Sequence, residues 1–329
     1  MAKENRPIKN MISFGSEERD LFCVDYRLTS KCNYNCWYCT DMHNNDRKDD
    51  QFEIKGLQNL IKALNRDIRF FLYGGEPTIH PDFLYAVEGI LDALERNSIL
   101  EIQTNLSVKK EKFQFFCDRI NGHRKTRPVF FLTSYHYTEC DFEDFFNNCV
   151  IANRYKMLDQ IAVMYQDDYR TDIIKNLKIL RKIFPKVKTE LLPLLCGSVK
   201  ENSPRPYEDI DKFYNCPEAL NLSKNDFSFI DRLRVNYCDG THSYVSSAYL
   251  WKNRQNSFNG MLCDVGKERI VIDSNGDCYR CFNQIFDETQ KAEHNIFSKK
   301  ECLDFLQNMK SITCTYDKCF FDFNHYRYY

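Results

Sequence analysis

The order of apolar segments along the chain is the feature that most limits how it can fold. Between residues 21 and 195, short runs rich in β-branched and aromatic residues alternate with longer amphipathic stretches. This alternation is typical of repeated βα units around a parallel sheet. The predicted strands are residues 21–28, 68–73, 99–104, 129–134, 160–164 and 187–192. The predicted helices are residues 54–64, 81–96, 110–121, 141–153 and 172–183.

The spacing inside the last predicted helix supports this reading. Its apolar side chains recur every three or four residues, so they are expected to share one buried face. They are Ile173, Ile174, Leu177, Leu180 and Ile183. Six strands joined by crossover helices predict an α/β fold, a partial (β/α)6 TIM-like barrel whose reactive groups lie at the carboxyl ends of its strands. A length of 329 residues accommodates such a barrel and a small appendage.

The pattern changes after residue 195, which divides the chain into regions. Residues 197–255 are polar and irregular, and a cysteine-rich segment begins near residue 260. In that segment, residues 268–273 and 278–281 flank a Ser-Asn-Gly-Asp turn signal, which predicts a β-hairpin. We expect a barrel over residues 15–200, a connector with substrate-facing loops over residues 201–259, and a small C-terminal domain of hairpin and helix over residues 260–329.

Charge and cysteine usage narrow the class of protein. Lys and Arg total 46 against 47 for Asp and Glu, so we expect no general attraction to nucleic acid or to an anionic membrane. No signal peptide and no apolar stretch of about eighteen residues is present, which predicts a cytoplasmic protein. Sixteen cysteines do not suit a disulfide framework in that compartment, and metal binding is the better explanation.

Three cysteines follow the first predicted strand at once. Cys32, Cys36 and Cys39 have the spacing C-x3-C-x2-C. Three thiolates can hold three irons of a 4Fe-4S cluster and leave the fourth iron open to bind a substrate, whereas four-cysteine sites close off a structural zinc or an electron-transfer cluster. The alternative is a zinc site with a distant fourth ligand.

A glycine pair follows the second predicted strand. Gly74 and Gly75 are expected to expose backbone to a ligand, and the carboxylate of the next residue, Glu76, can pair with an ammonium group. Together with Pro77 they form the motif Gly-Gly-Glu-Pro. The cysteine motif after strand one and this motif after strand two closely resemble the radical S-adenosylmethionine (SAM) superfamily.

The resemblance implies a cofactor arrangement and a reaction. SAM binds the open iron through its amine and carboxylate, and Tyr38 lies near the adenine. The amine is positioned by Gly74, Gly75 and Glu76, and Pro77 is a further cofactor-binding residue. Similar enzymes place polar contacts to the ribose and carboxylate at further strand ends, which here carry Thr104, Asn105 and Ser134. An electron from a donor such as flavodoxin or ferredoxin, passed on by the cluster, cleaves SAM to methionine and a 5'-deoxyadenosyl radical. That radical abstracts hydrogen from a substrate.

The terminal cysteines resemble the auxiliary-cluster extensions called SPASM and twitch domains. In these, one cysteine precedes a hairpin, another follows its Gly-Asp turn, and the others follow a helix. The resemblance implies a second 4Fe-4S cluster of the shorter, twitch type. Its ligands would be Cys263, Cys281, Cys314 and Cys319.

Two alternatives to this ligand set remain open. Cys278 can replace Cys281, although side chains alternate along a strand and these two positions face opposite sides of it. The same thiolates can also form a terminal zinc site. The spacing of four residues between Cys314 and Cys319 is wider than the usual pair in these extensions.

The resemblance leaves the substrate open. Similar enzymes crosslink or epimerise ribosomal peptides, or oxidise small molecules such as aminosugars. Because only about twenty residues precede the first predicted strand, we expect no leader-binding domain, which favours a small molecule or carbohydrate over a peptide. Candidates for handling the substrate radical are Cys238, Asp239, His242 and His136, each of which is equally or better explained as a structural residue. The rival hypothesis is a non-catalytic zinc-binding protein.

Overall fold

The computed structural model describes most of the barrel region and parts of the remaining chain. The described residues are 7–13, 21–39, 52–95, 97–125, 127–194, 211–219, 233–245, 250, 253, 255, 257–285, 287, 290–292, 294–297, 306, 309–316 and 327–328. Cys319, one of the predicted ligands, lies outside them. None of the helices among the described residues is long and apolar enough to cross a membrane.

Fifteen strands are present in the described part of the chain. They are β1 (Ile8–Ser13), β2 (Phe22–Thr29), β3 (Ile68–Gly74), β4 (Ile99–Thr104), β5 (Val129–Tyr135), β6 (Leu158–Met164), β7 (Lys188–Leu192), β8 (Leu233–Tyr237), β9 (His242–Val245), β10 (Leu262–Cys263), β11 (Arg269–Ile272), β12 (Asp277–Tyr279), β13 (His294–Asn295), β14 (Ile312–Thr313) and β15 (Arg327–Tyr328). The helices are α1 (Ile54–Leu64), α2 (Phe83–Ala93), α3 (Lys110–Arg124), α4 (Phe142–Arg154), α5 (Arg170–Ile183) and the short α6 (Val265–Glu268) and α7 (Phe282–Ile285).

Strands β2 to β7 lie side by side in sequential order, all parallel, within a nine-stranded sheet. Helices α1 to α5 connect them in turn. Alternate residues of a strand point to opposite faces, so on β2 Val24 and Tyr26 join the main hydrophobic core, while Asp25 and Arg27 lie on the other face. The α/β fold with a parallel, partial-barrel sheet is therefore confirmed.

Local sequence signals explain where the helices begin and end. Helix α1 ends at Asn65, which adopts a left-handed conformation that asparagine tolerates. Asp141 begins α4, where its carboxylate accepts the backbone N–H groups of Glu143 and Asp144. The predicted buried face of α5 is present except at its last residue, Ile183, which is 49% exposed.

The predicted terminal hairpin is present as β11 and β12, and Gly276 in its turn has a φ of +85°, which glycine adopts without strain. Its position was not predicted: β11 lies parallel to β2, so the hairpin extends the barrel sheet. Two ion pairs join these strands. The Arg269 side chain lies 3.0 Å from the Asp25 carboxylate, and that of Arg27 lies 3.3 Å from Asp273.

A second sheet of six strands, in the order β14-β10-β15-β1-β8-β9, combines residues from both ends of the chain with the connector. Two expectations are therefore wrong. Residues 8–13 form a strand before residues 21–28, and residues 233–245, which were expected to be irregular, contain strands β8 and β9. Met11, Val235 and Tyr237 are buried in a second hydrophobic core, which explains why these short segments form strands. The three-region division of the chain remains a prediction.

We predict that replacing Arg269 with Met destabilises the fold. The Asp25 side chain is only 2% exposed, so its charge would stay buried without the guanidinium beside it. Removing one partner of such a pair should lower the free energy of unfolding by about 3–5 kcal/mol, measured by urea denaturation. The matched control is Lys178→Met, because the Lys178–Glu218 pair is more than half exposed on both sides and should contribute under about 1 kcal/mol. Equal effects of the two substitutions would contradict the prediction.

Candidate functional site

The three cysteines of the first motif lie in one loop directly after β2. Cys36 is buried, and Cys32 and Cys39 are partly buried. Burial is the main reason that the pKa of Cys32 rises to about 11 and that of Cys36 to about 12, and the charge of Cys39 raises both pKa values as well. The three thiols are therefore close enough to repel one another when ionised, and metal binding would have to displace their protons.

The chemistry of this loop suits a thiolate-bound iron cluster. The Cys32 sulfur accepts the backbone N–H of Tyr34 at 3.4 Å and the side-chain amide of Asn105 at 3.9 Å, and such bonds to sulfur tune iron-sulfur clusters. Among the described residues, no three His, Cys, Asp or Glu side chains converge as they would around a single metal ion. In a four-iron cluster each cysteine binds a different iron. The absence of a site for a single ion among the described residues therefore does not bear on a cluster.

The two glycines after β3 let the cysteine loop pack tightly against this strand end. The N–H groups of Gly75 and Glu76 donate to the carbonyls of Thr29 at 2.9 Å and Lys31 at 2.8 Å. A Cβ on Gly75 would overlap the Lys31 carbonyl and lie 2.9 Å from the Cys32 nitrogen. The glycines thus face the cysteine loop, and the predicted contact of Gly74 and Gly75 with SAM remains a prediction.

The Glu76 carboxylate is fully buried and is surrounded by donors. One oxygen accepts the Thr78 N–H at 3.0 Å, the Thr78 hydroxyl at 2.5 Å and the Thr104 hydroxyl at 2.7 Å, and the other accepts the Asn105 N–H at 2.6 Å. Burial raises the pKa of Glu76, while these donors oppose that rise. The carboxylate therefore ties the end of β3 to the end of β4, and its predicted pairing with the SAM amine remains a prediction.

Tyr38, in the cysteine loop, packs against His136, which directly follows β5. Their rings stack with centroids 5.8 Å apart and 13° between planes, and the Tyr38 hydroxyl lies 2.9 Å from His136 Nδ1. The same nitrogen lies 3.5 Å from the Cys36 sulfur. Burial lowers the pKa of His136 to about 4, so the imidazole is neutral at physiological pH. Tyr38 itself is only 5% exposed, and its predicted place near the adenine remains a prediction.

Two further residues contact this loop and were missed by sequence reasoning. The Gln166 amide donates to the Tyr38 hydroxyl at 3.5 Å, and Glu139 accepts the backbone N–H of Asn35 at 3.0 Å. Gln166 follows the end of β6 by two residues, so the rule that strand ends carry the site would have selected it. Glu139 lies in an ordinary turn after β5 and carries no sequence signal.

The remaining predicted cofactor contacts lie at strand ends as expected. Pro77 is buried and begins a 3-10 helix, Pro77–Ile79, directly after Glu76. Ser134 is partly buried near the end of β5, on the face opposite to Thr133. Neither position tests the predicted contact with SAM.

Three of the weaker catalytic candidates lie at the β8–β9 turn of the second sheet. Asp239 accepts the N–H of Thr241 at 2.8 Å and its hydroxyl at 2.6 Å, which stabilises the turn. Cys238 is exposed, and the His242 ring packs edge-on against Tyr244 with centroids 5.7 Å apart. Their catalytic roles remain predictions.

The terminal cysteines divide between two cores. Cys281 and Cys314 pack against the second hydrophobic core, of which Cys263 is a buried member. Burial and then the charge of Asp287 raise the pKa of Tyr316, and the charges of Cys281 and Cys314 add to this rise. The three described members of the predicted ligand set therefore all contact the second hydrophobic core, and their binding of a cluster remains a prediction.

Cys278 lies elsewhere. It is 1% exposed on β12 and belongs to the main core between the barrel sheet and its helices. It pairs with Ile272 across the hairpin. Cys278 and Cys281 thus point into different cores, in agreement with the alternation argument, and the choice of ligand remains a prediction.

Comparison with known proteins now identifies the class. The sequence profile described as the Radical SAM superfamily matches residues 26–197, just over half of the 329 residues. The matched region spans the cysteine loop, the Gly-Gly-Glu-Pro motif and the parallel strands that carry them. This chain belongs to the radical SAM superfamily. No curated protein matches it by sequence.

Solved structures share its fold. The anSMEcpe protein with bound AdoMet, which is SAM, has a TM-score of 0.54 and 17% identity over 87% of this chain and 82% of that one. The same protein with AdoMet and the Cp18Cys peptide has a TM-score of 0.51 and 17% identity over 87% and 81%. A weaker similarity, which does not enter the argument on the fold, is to SuiB from Streptococcus suis bound to the precursor peptide SuiA, with a TM-score of 0.43 and 12% identity over 87% and 64%.

We predict that Gly75→Ala displaces the cysteine loop. The added methyl group would meet backbone atoms of Lys31 and Cys32, which cannot rotate away. Overpacking of this kind costs about 1–3 kcal/mol, which urea denaturation measures. Gly122→Ala is the control: nothing lies within 4 Å of its Cβ and it is within α3, so stability should rise by about 0.5–1 kcal/mol. A stable Gly75→Ala protein would show that the glycine is not required for packing.

Proposed function

We propose that this chain is an enzyme that binds a 4Fe-4S cluster through Cys32, Cys36 and Cys39 and cleaves SAM reductively. The observation that carries the proposal is the packing of this cysteine loop, through Gly75, onto the strand end that bears the Gly-Gly-Glu-Pro motif. Superfamily membership supports an enzyme that uses both cofactors. The reaction type, whether oxidoreductase, isomerase or lyase, is not part of the proposal.

When bound, the cluster supplies the electron that cleaves SAM to a 5'-deoxyadenosyl radical, which then abstracts a substrate hydrogen. The protein's own residues hold and orient the reactants. The cysteine thiolates bind iron, while the buried Glu76 carboxylate holds Asn105, whose amide reaches the Cys32 sulfur, in place. We assign the SAM contacts to the surrounding strand ends. These are Tyr38, Gly74, Gly75, Glu76, Pro77, Thr104, Asn105 and Ser134.

We further propose a second 4Fe-4S cluster in a twitch-type C-terminal domain. Support comes from the shared position of Cys263, Cys281 and Cys314 at the second core, beside the partly buried Tyr316. Cys319 is assigned as the fourth ligand on the resemblance alone. This cluster would accept an electron during substrate oxidation or help to place the substrate.

The substrate is proposed to be a peptide or a small molecule such as a carbohydrate, with flavodoxin or ferredoxin as the electron donor. The structure of anSMEcpe with the Cp18Cys peptide, whose fold this chain shares, favours a peptide. The protein should first be tested with peptides.

The decisive experiment separates this enzyme from a zinc-binding protein. Protein prepared anaerobically with iron and sulfide should be brown and should form 5'-deoxyadenosine from SAM and dithionite. Colourless protein with stoichiometric zinc and no 5'-deoxyadenosine would reject the proposal.

We predict that changing Cys32, Cys36 and Cys39 together to Ala abolishes 5'-deoxyadenosine formation. The first cluster loses all its thiolates, whereas the second keeps its own, so iron content should fall by about one four-iron cluster. Iron counting and product chromatography measure the two effects. Cys140→Ala is the control, because this thiol receives a hydrogen bond from Tyr34 beside the same loop but is not an assigned ligand. Retained SAM cleavage in the triple variant would reject the assignment.

We predict that Cys281→Ala lowers the iron content by up to one cluster and that Cys278→Ala leaves it near the wild-type value. Cys281 packs at the second core with the other assigned ligands, whereas Cys278 packs in the main core. Both variants should still cleave SAM at the first cluster. Reversed iron contents would make Cys278 the ligand, and unchanged iron in both would show that these cysteines hold no cluster.

A further inference from the structure

The sulfur atoms of the cysteine loop have different surroundings. Cys32 accepts a backbone N–H from Tyr34, which no side-chain substitution removes. Two polar side chains lie at Cys36, since His136 Nδ1 is 3.5 Å from its sulfur and 2.9 Å from the Tyr38 hydroxyl. His136 comes from the segment after β5, about a hundred residues further along the chain. The contact therefore exists only because the barrel folds.

We propose that Tyr38 and His136 form a hydrogen-bonded pair that donates to the Cys36 sulfur and raises the reduction potential of the cluster. This inference rests on the proposed function, because it requires that Cys36 binds iron. It assigns both residues a positioning role at the ligand sulfur. This role is separate from the roles expected from the sequence, which are an adenine contact for Tyr38 and radical chemistry for His136.

The direction of the hydrogen bonds follows from the state of the ligand. An iron-bound cysteine is a thiolate, which has no proton and can only accept. We assign the Tyr38 hydroxyl as the donor to Cys36 and place the imidazole proton on Nδ1, from which it donates to the Tyr38 oxygen or to the sulfur. The Tyr38 side chain is hydrogen-bonded to Cys36.

The surroundings hold the pair in this geometry. The His136 ring stacks on Tyr38 and meets the ring of Tyr34 edge-on, with centroids 6.0 Å apart. The Gln166 amide approaches the far side of the Tyr38 hydroxyl at 3.5 Å. Because both rings are largely buried, their dipoles act at low dielectric, where hydrogen bonds are electrostatically stronger than in water.

Hydrogen bonds to the Cys36 sulfur should raise, not lower, the reduction potential of the cluster. One-electron reduction, here by dithionite, adds negative charge to the iron and sulfur atoms. Donors at a ligand sulfur stabilise the more negative state, which makes reduction more favourable. Removing a donor should therefore lower the potential without removing a ligand.

The test is an anaerobic redox titration of reconstituted wild-type protein and of Tyr38→Phe, His136→Leu and His136→Asn, followed by electron paramagnetic resonance. The signal that changes on addition of SAM identifies the cluster with the open iron. Tyr38→Phe and His136→Leu should each lower the equilibrium constant for its reduction about tenfold, equivalent to ~59 mV for one electron. His136→Asn should restore the wild-type potential, because its amide nitrogen can replace Nδ1 as the donor.

Tyr34→Phe is the matched control. It removes a hydroxyl group from the same loop, but this hydroxyl is hydrogen-bonded to Cys140. Its potential should equal that of the wild type. Equal potentials in all variants would overturn the inference, and so would loss of iron from both Tyr38→Phe and His136→Leu, since the pair would then be needed to assemble the site. Wild-type protein that binds no iron would instead reject the proposed function itself.

Discussion

The buried carboxylate of Glu76 is the interaction on which the candidate site depends. A charge without solvent contact is tolerated only if donors surround it, and here Thr78, Thr104 and Asn105 provide four. Hydrogen bonds to charged groups contribute about 1.5–3 kcal/mol each to stability. Since Thr78 lies in the 3-10 helix next to Glu76 and the other donors lie at the end of β4, this one side chain joins the end of β3 to the end of β4.

The cysteine loop is attached to this unit by backbone contacts. Gly75 lies so close to Lys31 and Cys32 that any side chain would collide with the loop, and the Glu76 N–H donates to the Lys31 carbonyl. The motif that the resemblance assigns to SAM binding therefore also supports the cysteine loop. A rigid support of this kind fits a site that must hold its groups in place for chemistry.

The C-terminal segment is connected to the same region through β2. This strand leads directly into the cysteine loop, and its Asp25 and Arg27 form ion pairs with Arg269 and Asp273 of the hairpin. Cys281 follows that hairpin by two residues. Cys281 is thus joined to the cysteine loop through paired strands of one sheet, whereas Cys263 lies on β10 of the second sheet.

The sequence by itself determined the α/β class, the six parallel strands, the hairpin and the two motifs, because hydrophobic periodicity and glycine turns are local signals. The bounds of α1 and β4 agree with the predicted ones to the residue. Only the tertiary structure decided that β11 joins β2, that β1 pairs with β8, and that His136 reaches Cys36. Each of these contacts joins segments far apart in the chain, and their pairing depends on packing and buried charge that no local pattern contains.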